Sequence, residues 1–228
     1  MKEENIKIPI TRLKKNEIIW LFKHNCKAHG HSYATHYNCY LRENPDSRRI
    51  GYWDLETSDF KADWGILLSY CIISNEGKIY EDRIQYKDMH NKKIMDKKVV
   101  QSCVEALRNF DVLIGYYSSR FDIQFIRTRA ICNKVPFPFF GEIQQRDVYY
   151  MIRNRFQLTR NSLDNACKTL LGESMKSPLE RKVWQSAILC NDEKAMNYIV
   201  DHCRQDVKEV KRLYELVVDY SKPLDKSI

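Results

Sequence analysis

Asp54 and Glu56 stand two apart in Arg49-Ile50-Gly51-Tyr52-Trp53-Asp54-Leu55-Glu56-Thr57, a stretch that alternates as a strand does. A period of two sends both carboxylates to one face while Trp53 and Leu55 point to the other. Neighbouring carboxylates repel unless a cation lies between them, and on a buried strand a divalent metal relieves that repulsion. Taken alone, Asp-x-Glu also fits the acidic end of a strand running out into solvent. A further acid, Asp122, follows Gly115-Tyr116-Tyr117-Ser118-Ser119-Arg120-Phe121, where a short apolar strand gives way to a helical pattern. An acid at a helix start also fits a plain cap, favoured by the helix dipole. The fourth acid, Asp206, lies on a segment whose apolar stripe runs Ile199, Cys203, Val207, Val210, Leu213, Val217. His202 precedes it by four, so the pair shares a helix face. That is an ordinary surface pair, and it is equally the placement of a base beside a metal ligand. Phosphodiester hydrolysis by two metal ions needs several hard oxygen ligands around two cations about 4 Å apart, and four acids of this kind could provide them.

A different chemistry is offered by Cys26-Lys27-Ala28-His29-Gly30-His31-Ser32-Tyr33-Ala34-Thr35-His36-Tyr37-Asn38-Cys39. Four of the six histidines (His24, His29, His31, His36) fall within 13 residues, and two of the eight cysteines, Cys26 and Cys39, lie in the same region. Cys-x2-His followed by His-x2-Cys is a spacing that closes a tetrahedral Zn²⁺ site of two thiolates and two imidazoles. Cys26, His29, His36 and Cys39 are the expected ligands, with His31 as substitute and His24 after it. So short and polar a segment has little core of its own, and a bound ion would supply the folding energy it lacks.

The elements that must position these groups follow from periodicity. Leu13, Ile18, Ile19, Trp20 and Phe22 predict a short amphipathic helix before the Cys/His cluster. Residues 1–45 then form a zinc-stapled segment that ends at an Asn44-Pro45-Asp46-Ser47 turn. Residues 46–228 form the main domain. Residues 64–74, WGILLSYCIIS, form a near-continuous apolar run and predict a central strand. Residues 78–85 predict a third strand after a hairpin turn at 75–77, residues 111–115 a fourth and residues 143–149 a fifth. Asp96 is placed to cap a helix carrying Val99, Val100, Cys103, Ala106, Leu107 and Phe110, and 121–132 has helical spacing. Later helices are expected over 147–155, 162–172, 178–189 and 192–219, and a frayed tail over 221–228. The fold class is α/β: a mixed five-stranded sheet flanked by helices.

Composition narrows the partners. The net charge of +8 over 228 residues is uneven. Residues 1–50 hold ten Lys/Arg against five Asp/Glu, and residues 146–182 eight against four. Basic segments of this sort suit a polyanionic partner as well as a merely solvated surface. No apolar run is long enough to span a bilayer and the first residues lack a signal-peptide pattern, so a cytoplasmic protein with no membrane partner is expected. The other six cysteines form no Cys-x-x-Cys pair and suit small buried apolar positions.

Trp53-Asp54-Leu55-Glu56-Thr57, Gly115-Tyr116-x4-Phe121-Asp122 and His202-x3-Asp206-Val207, in that order and with 66 and 84 residues between successive acids, resemble the three exonuclease motifs of the DEDD (DnaQ-like) superfamily. Within it, the likeness is to YprB-type predicted exonucleases and to the proofreading domains of family B polymerases, and it covers about residues 49–220. The resemblance implies a ribonuclease-H-like fold and 3′–5′ exonuclease activity on nucleic acid. It assigns Asp54, Glu56, Asp122 and Asp206 to two Mg²⁺ or Mn²⁺ ions; the one structural Zn²⁺ expected in the N-terminal segment rests on the Cys/His spacing instead. One point departs from the pattern. Branches of the superfamily carry Tyr four positions, or His five positions, before the last Asp, whereas here His202 occupies the four-residue offset. His202 is still the candidate to orient or deprotonate the attacking water. Tyr116, Tyr117, Arg120, Arg127 and Arg129 flank Asp122 and are candidates to grip a 3′ end and its phosphates, while Asp147 and Lys176 resemble accessory positions. Two other functions fit the same sequence: a structure-selective endonuclease on this fold, and a non-catalytic zinc-containing nucleic-acid-binding protein.

Overall fold

The computed structural model describes residues 13–175, 177–178, 180–221 and 225–228. Its centre is the apolar run read from the sequence: β2 (Leu67–Ser74) is buried at every position, as a strand covered on both faces must be. β1 (Ile50–Thr57) lies antiparallel to it, with Asp54 opposite Cys71 and Glu56 opposite Ser69. β3 (Ile79–Arg83) extends the meander on the far side of β2. β4 (Val112–Gly115) runs parallel to β1, and β5 (Gln144–Asp147) parallel to β4.

The sheet has six strands, in the order β3-β2-β1-β4-β5-β6, one more than the sequence suggested. The extra strand, β6 (Lys226–Ser227), pairs antiparallel with β5 and belongs to the stretch expected to fray. Ile228 explains the correction. Its side chain is buried in the main core and its N–H donates to the Ile143 carbonyl at 3.1 Å, so apolar burial offsets the entropy of ordering the segment.

Nine helices surround the sheet among the described residues: α1 (Lys15–Lys23), α2 (Tyr37–Glu43), α3 (Tyr86–Met89), α4 (Lys97–Leu107), α5 (Asp122–Cys132), α6 (Val148–Arg155), α7 (Leu163–Leu170), α8 (Arg181–Leu189) and α9 (Glu193–Val217). The expected helices are present within a few residues of their predicted ends, and the single turn of α3 is an addition. The period of two in β1 sorts the two cores. Trp53 and Leu55 pack with α4, α5 and α8, while Tyr52 on the opposite face packs with α6, α7 and most of α9. α9 therefore lies over the face that carries Asp54 and Glu56. Its opening turns, with Ala195, Met196 and Ile199, reach round to α8 and the other core.

Asp96 is not the cap its position suggested, for its side chain makes no capping bond to α4. It is fully buried and accepts from Arg129 (Nε 2.8 Å, Nη2 2.6 Å), from the Leu67 N–H at 2.9 Å and from Asn133 Nδ2 at 2.9 Å. A carboxylate out of water requires such partners. The N-terminal segment has a separate small core of Leu21, Cys26, Tyr33, Ala34, Tyr37, Cys39 and Leu41. Asn38 links it to the main domain by donating to the Gly141 carbonyl at 3.2 Å.

Candidate active site

β4 ends at Gly115, one residue beyond its last pairing with β1 (Tyr52 with Ile114), whereas β1 runs on to Thr57. The in-plane N–H groups at the end of β1 are thus left without a strand partner on that side. Asp122, the first residue of α5, takes up one of them: its Oδ1 accepts from the Leu55 N–H at 3.2 Å. The chain must turn sharply to bring it there. A Cβ on Gly115 would lie 2.6 Å from Ser118 Cβ, which explains the glycine, and Tyr117 is in the left-handed region at φ 61°, a strained conformation for an aromatic residue.

Asp147 holds this turn. As N-cap of α6 its Oδ1 accepts from the Tyr149 N–H (3.1 Å) and from the Tyr117 N–H (2.8 Å), and its Oδ2 accepts from the Ser119 N–H (3.0 Å) and hydroxyl (2.5 Å). Burial, aided by the nearby Asp147 charge, raises the Asp122 carboxyl to about 7 against the Asp122 and Leu55 N–H groups, which favour the ionised form.

α9 brings the remaining groups over the same strand end. Cys203 Sγ donates to the Asp54 carbonyl at 3.4 Å, and its sulfur lies with carboxylate oxygens of Asp54 and Glu56 within 4.8 Å. One residue earlier, His202 is 1% exposed, with Nε2 3.8 Å from both Glu56 Oε1 and Asp206 Oδ2. Its Nδ1 is 2.7 Å from the Ser177 hydroxyl, and the Trp184 ring meets its edge. Glu56 and Asp206, from two elements 150 residues apart in the chain, thus meet at one imidazole, Asp54 lies beside Glu56, and Asp122 is tied to the residue between the two strand acids. Three of the acids are buried (Glu56, Asp122, Asp206). Buried carboxylates gathered this closely are the donor set that a hard divalent cation takes, so the residues present fit such ions.

The other sequence candidates are dispersed. Tyr117 is exposed and stacks among Tyr149 and Tyr150, and Arg120 Nε is 3.4 Å from the Tyr150 hydroxyl. Tyr116 turns inward, its hydroxyl donating to the Asn161 carbonyl. Arg127 lies over the Phe137 ring, 5.6 Å from its centroid. Arg129 is a correction to the substrate-gripping role: its guanidinium is engaged on Asp96 and the Ala62 carbonyl. Lys176 lies outside the described residues. Sequence reasoning missed Ser177, Cys203 and Glu209. Glu209 is fully buried one turn beyond Asp206 and accepts from the Met175 N–H and the Ser174 hydroxyl, so it ties to α9 the segment that delivers Ser177 to His202. The helical offset of three from Asp206 was the available signal for Glu209.

The Cys/His cluster also assembles, with one exchange. Cys26, His29, His31 and Cys39 bring one ligand atom each within 4.8 Å of one another. His29 Nδ1 is 3.4 Å from Cys26 Sγ and 3.5 Å from Cys39 Sγ, near the roughly 3.6 Å edge of a tetrahedron with zinc–sulfur and zinc–nitrogen bonds. His31 stands where His36 was expected. An Asn25–Ser32 bridge and a turn with Gly30 at φ 73° fold His31 back toward Cys26, and its Nδ1 is buried with no hydrogen-bond partner. His36 begins α2 from an exposed position, with Nδ1 3.1 Å from Cys39 Sγ. The donor set and the orphaned imidazole nitrogen fit a zinc ion.

Residues 51–218 match the sequence profile of the RNase H superfamily, and the chain belongs to that superfamily. No curated protein matches it. Among solved structures, the family B DNA polymerase from the hyperthermophilic archaeon Pyrobaculum calidifontis is similar, with a TM-score of 0.57 at 18% identity. The match covers 74% of this chain and 24% of the polymerase chain, so what is shared is the fold of one part of a much longer protein.

Proposed function

We propose that the protein is a metal-dependent 3′–5′ exonuclease of the DEDD type, with residues 46–228 as the nuclease domain and residues 1–45 as a zinc-binding segment that positions nucleic acid or docks a partner. The observation that carries this reading is the gathering of Glu56 and Asp206 on His202, with the Asp54 carboxylate beside that of Glu56 and Asp122 bonded to the Leu55 N–H between the two strand acids. Two Mg²⁺ or Mn²⁺ ions held by these four acids would supply activation of water and stabilisation of the leaving oxygen.

The chain's own groups do the rest. His202 is positioned by Ser177 at Nδ1, which leaves Nε2 directed at the carboxylates, and there it would take the proton of the attacking water. Glu209 keeps Ser177 in range through the 174–175 backbone. Tyr117, exposed beside this edge, would stack on a terminal base, and Arg120 would meet a phosphate. The resemblance to proofreading domains and the superfamily membership support nucleic acid as substrate.

The test is a time course with Mg²⁺ or Mn²⁺ on end-labelled single-stranded DNA and RNA, in linear and circular forms. Mononucleotides released from linear strands, with circles untouched, are expected. Cleavage of circles would replace the reading with an endonuclease, and strand binding without turnover in Mn²⁺ would replace it with a binding protein.

A further inference from the structure

On the edge of the sheet beyond the acids, a hollow of about 220 Å³ lies between α6 and the C-terminal strand. Ser119, Asp147, Tyr150, Asn154, Arg155 and Lys226 line it. It is smaller than the roughly 300–1,000 Å³ of pockets that enclose drug-sized ligands, a size that suits one phosphate with part of its sugar. Its charge is positive. Arg155 and Lys226 are exposed and pair with no carboxylate among the described residues, whereas both Asp147 oxygens are taken by N–H and O–H donors from the 117–119 turn and α6.

The walls are fixed before any ligand arrives. Arg146 is held by Asp225 at 2.6 Å and by the Tyr214 hydroxyl at 2.6 Å, and Asp225 is gripped from the other side by Arg48 at 2.9 Å. Gln145, 6% exposed, also lines the hollow, and its Oε1 has no hydrogen-bond partner. A buried amide oxygen left so calls for a donor from outside the protein, such as a sugar hydroxyl or a bound water.

Position completes the case. β5 is two strands from β1, so Asp147 at its end stands about 10 Å from the acids by strand spacing alone. The Tyr117, Tyr149 and Tyr150 rings contact one another at 4.8–6.3 Å between centroids; Tyr117 follows β4, the strand between β1 and β5, and Tyr150 lines the hollow.

We infer that this hollow is a second phosphate subsite, which takes a nucleotide of the substrate strand internal to the one at the acids, with the tyrosine cluster stacking the base between. The inference rests on the proposed nuclease reading and sharpens it, for it makes the substrate a strand running outward over β5.

The experiment is fluorescence anisotropy with labelled single strands of about ten nucleotides, in Ca²⁺ to suppress turnover, over a series of salt concentrations. Hydrolysis of a dinucleotide, too short to reach the hollow, is measured separately in Mg²⁺ or Mn²⁺. R155E/K226E is expected to weaken binding of the long strand at least tenfold, to lower the salt slope by about 1.4 for two lost phosphate contacts, and to leave dinucleotide turnover unchanged. R155K/K226R, which keeps both charges, should restore the wild-type slope. An unchanged slope and affinity in the charge-reversed variant, with wild type binding normally, overturns the subsite and leaves the nuclease reading standing. Equal loss on strand and dinucleotide overturns it too, by placing these residues in the acid site. Wild type that neither binds nor hydrolyses any strand overturns both readings.

Discussion

The acid edge and the Cys/His segment are both gatherings of ligand-type side chains, and they are built in opposite ways. The acids come from β1, α5 and α9, held by strands and helices that bury their apolar faces in two large cores whether or not a cation is present. The Cys/His ligands come from 14 consecutive residues folded over a core of seven buried side chains. In the first case the fold makes the site. In the second, a bound ion would make the fold. The contrast teaches where metal should matter: for activity at the sheet edge, and for structure at the N-terminal segment.

The largest effect expected follows from the first half. Asp54→Ala or Asp206→Ala should cut hydrolysis on the order of 10³-fold while thermal stability stays near wild type. Initial rates beside calorimetry check this, and a variant retaining full rate would contradict the shared site. Next, stripping zinc with a tight chelator, or Cys39→Ser, should unfold the N-terminal segment and leave the RNase H-like core cooperative. Near-ultraviolet dichroism of the segment's Trp20 and tyrosines, with zinc stoichiometry, reads this directly. Global unfolding on chelation would erase the distinction between the regions. Third, Arg129→Ala leaves Asp96 charged in a dry core and should cost about 3–5 kcal/mol in denaturant unfolding, with strand affinity per folded molecule unchanged.

A smaller effect concerns pH. Asp122 titrates near 7 when folded because of burial, against about 4 unfolded. Below pH 4 it is protonated in both states and carries no penalty. As pH rises toward 7 the unfolded state alone gives up its proton, so stability of the metal-free protein should fall through that window and level off above it. Asp122→Asn should remove the slope, and Mg²⁺, which favours the ionised form, should reduce it. A melting temperature independent of pH from 4 to 8 would refute the assignment. Least of all, Arg127→Ala should cost less than about 1 kcal/mol, the worth of an exposed cation–π contact, and should leave strand binding alone.

Much of this was readable from local periodicity. The period of two in β1 put Asp54 and Glu56 on one face, and the period of 3.6 in α9 put His202 and Asp206 together, because both rules act within a few residues. What was hidden depended on distant contacts. Nothing near Asp96 signals that its carboxylate will find Arg129, 33 residues on, instead of capping its own helix. The pairing of β6 was invisible because two residues carry no period, and what anchors them is distant in the chain: the core around Ile228 and the Arg48 and Arg146 guanidinium groups on Asp225. The exchange of His36 for His31 turned on a backbone bridge at Asn25 and Ser32, which ligand spacing does not encode. Ser177 lacked any signal, since an irregular segment is placed by what holds it, here Glu209.

α9 has a mechanical corollary. His202, Cys203 and Asp206 are geared to the apolar stripe of a single helix, and a residue removed between Ile199 and His202 would rotate one part of that helix against the other by about 100° and shift it 1.5 Å. Either the stripe would leave its groove or the imidazole, thiol and carboxylate would swing off the sheet edge together. Insertions and deletions in this stretch should therefore be far less tolerated than substitutions, whereas the loop after β1, with Phe60 and Trp64 open to solvent, has room to change length.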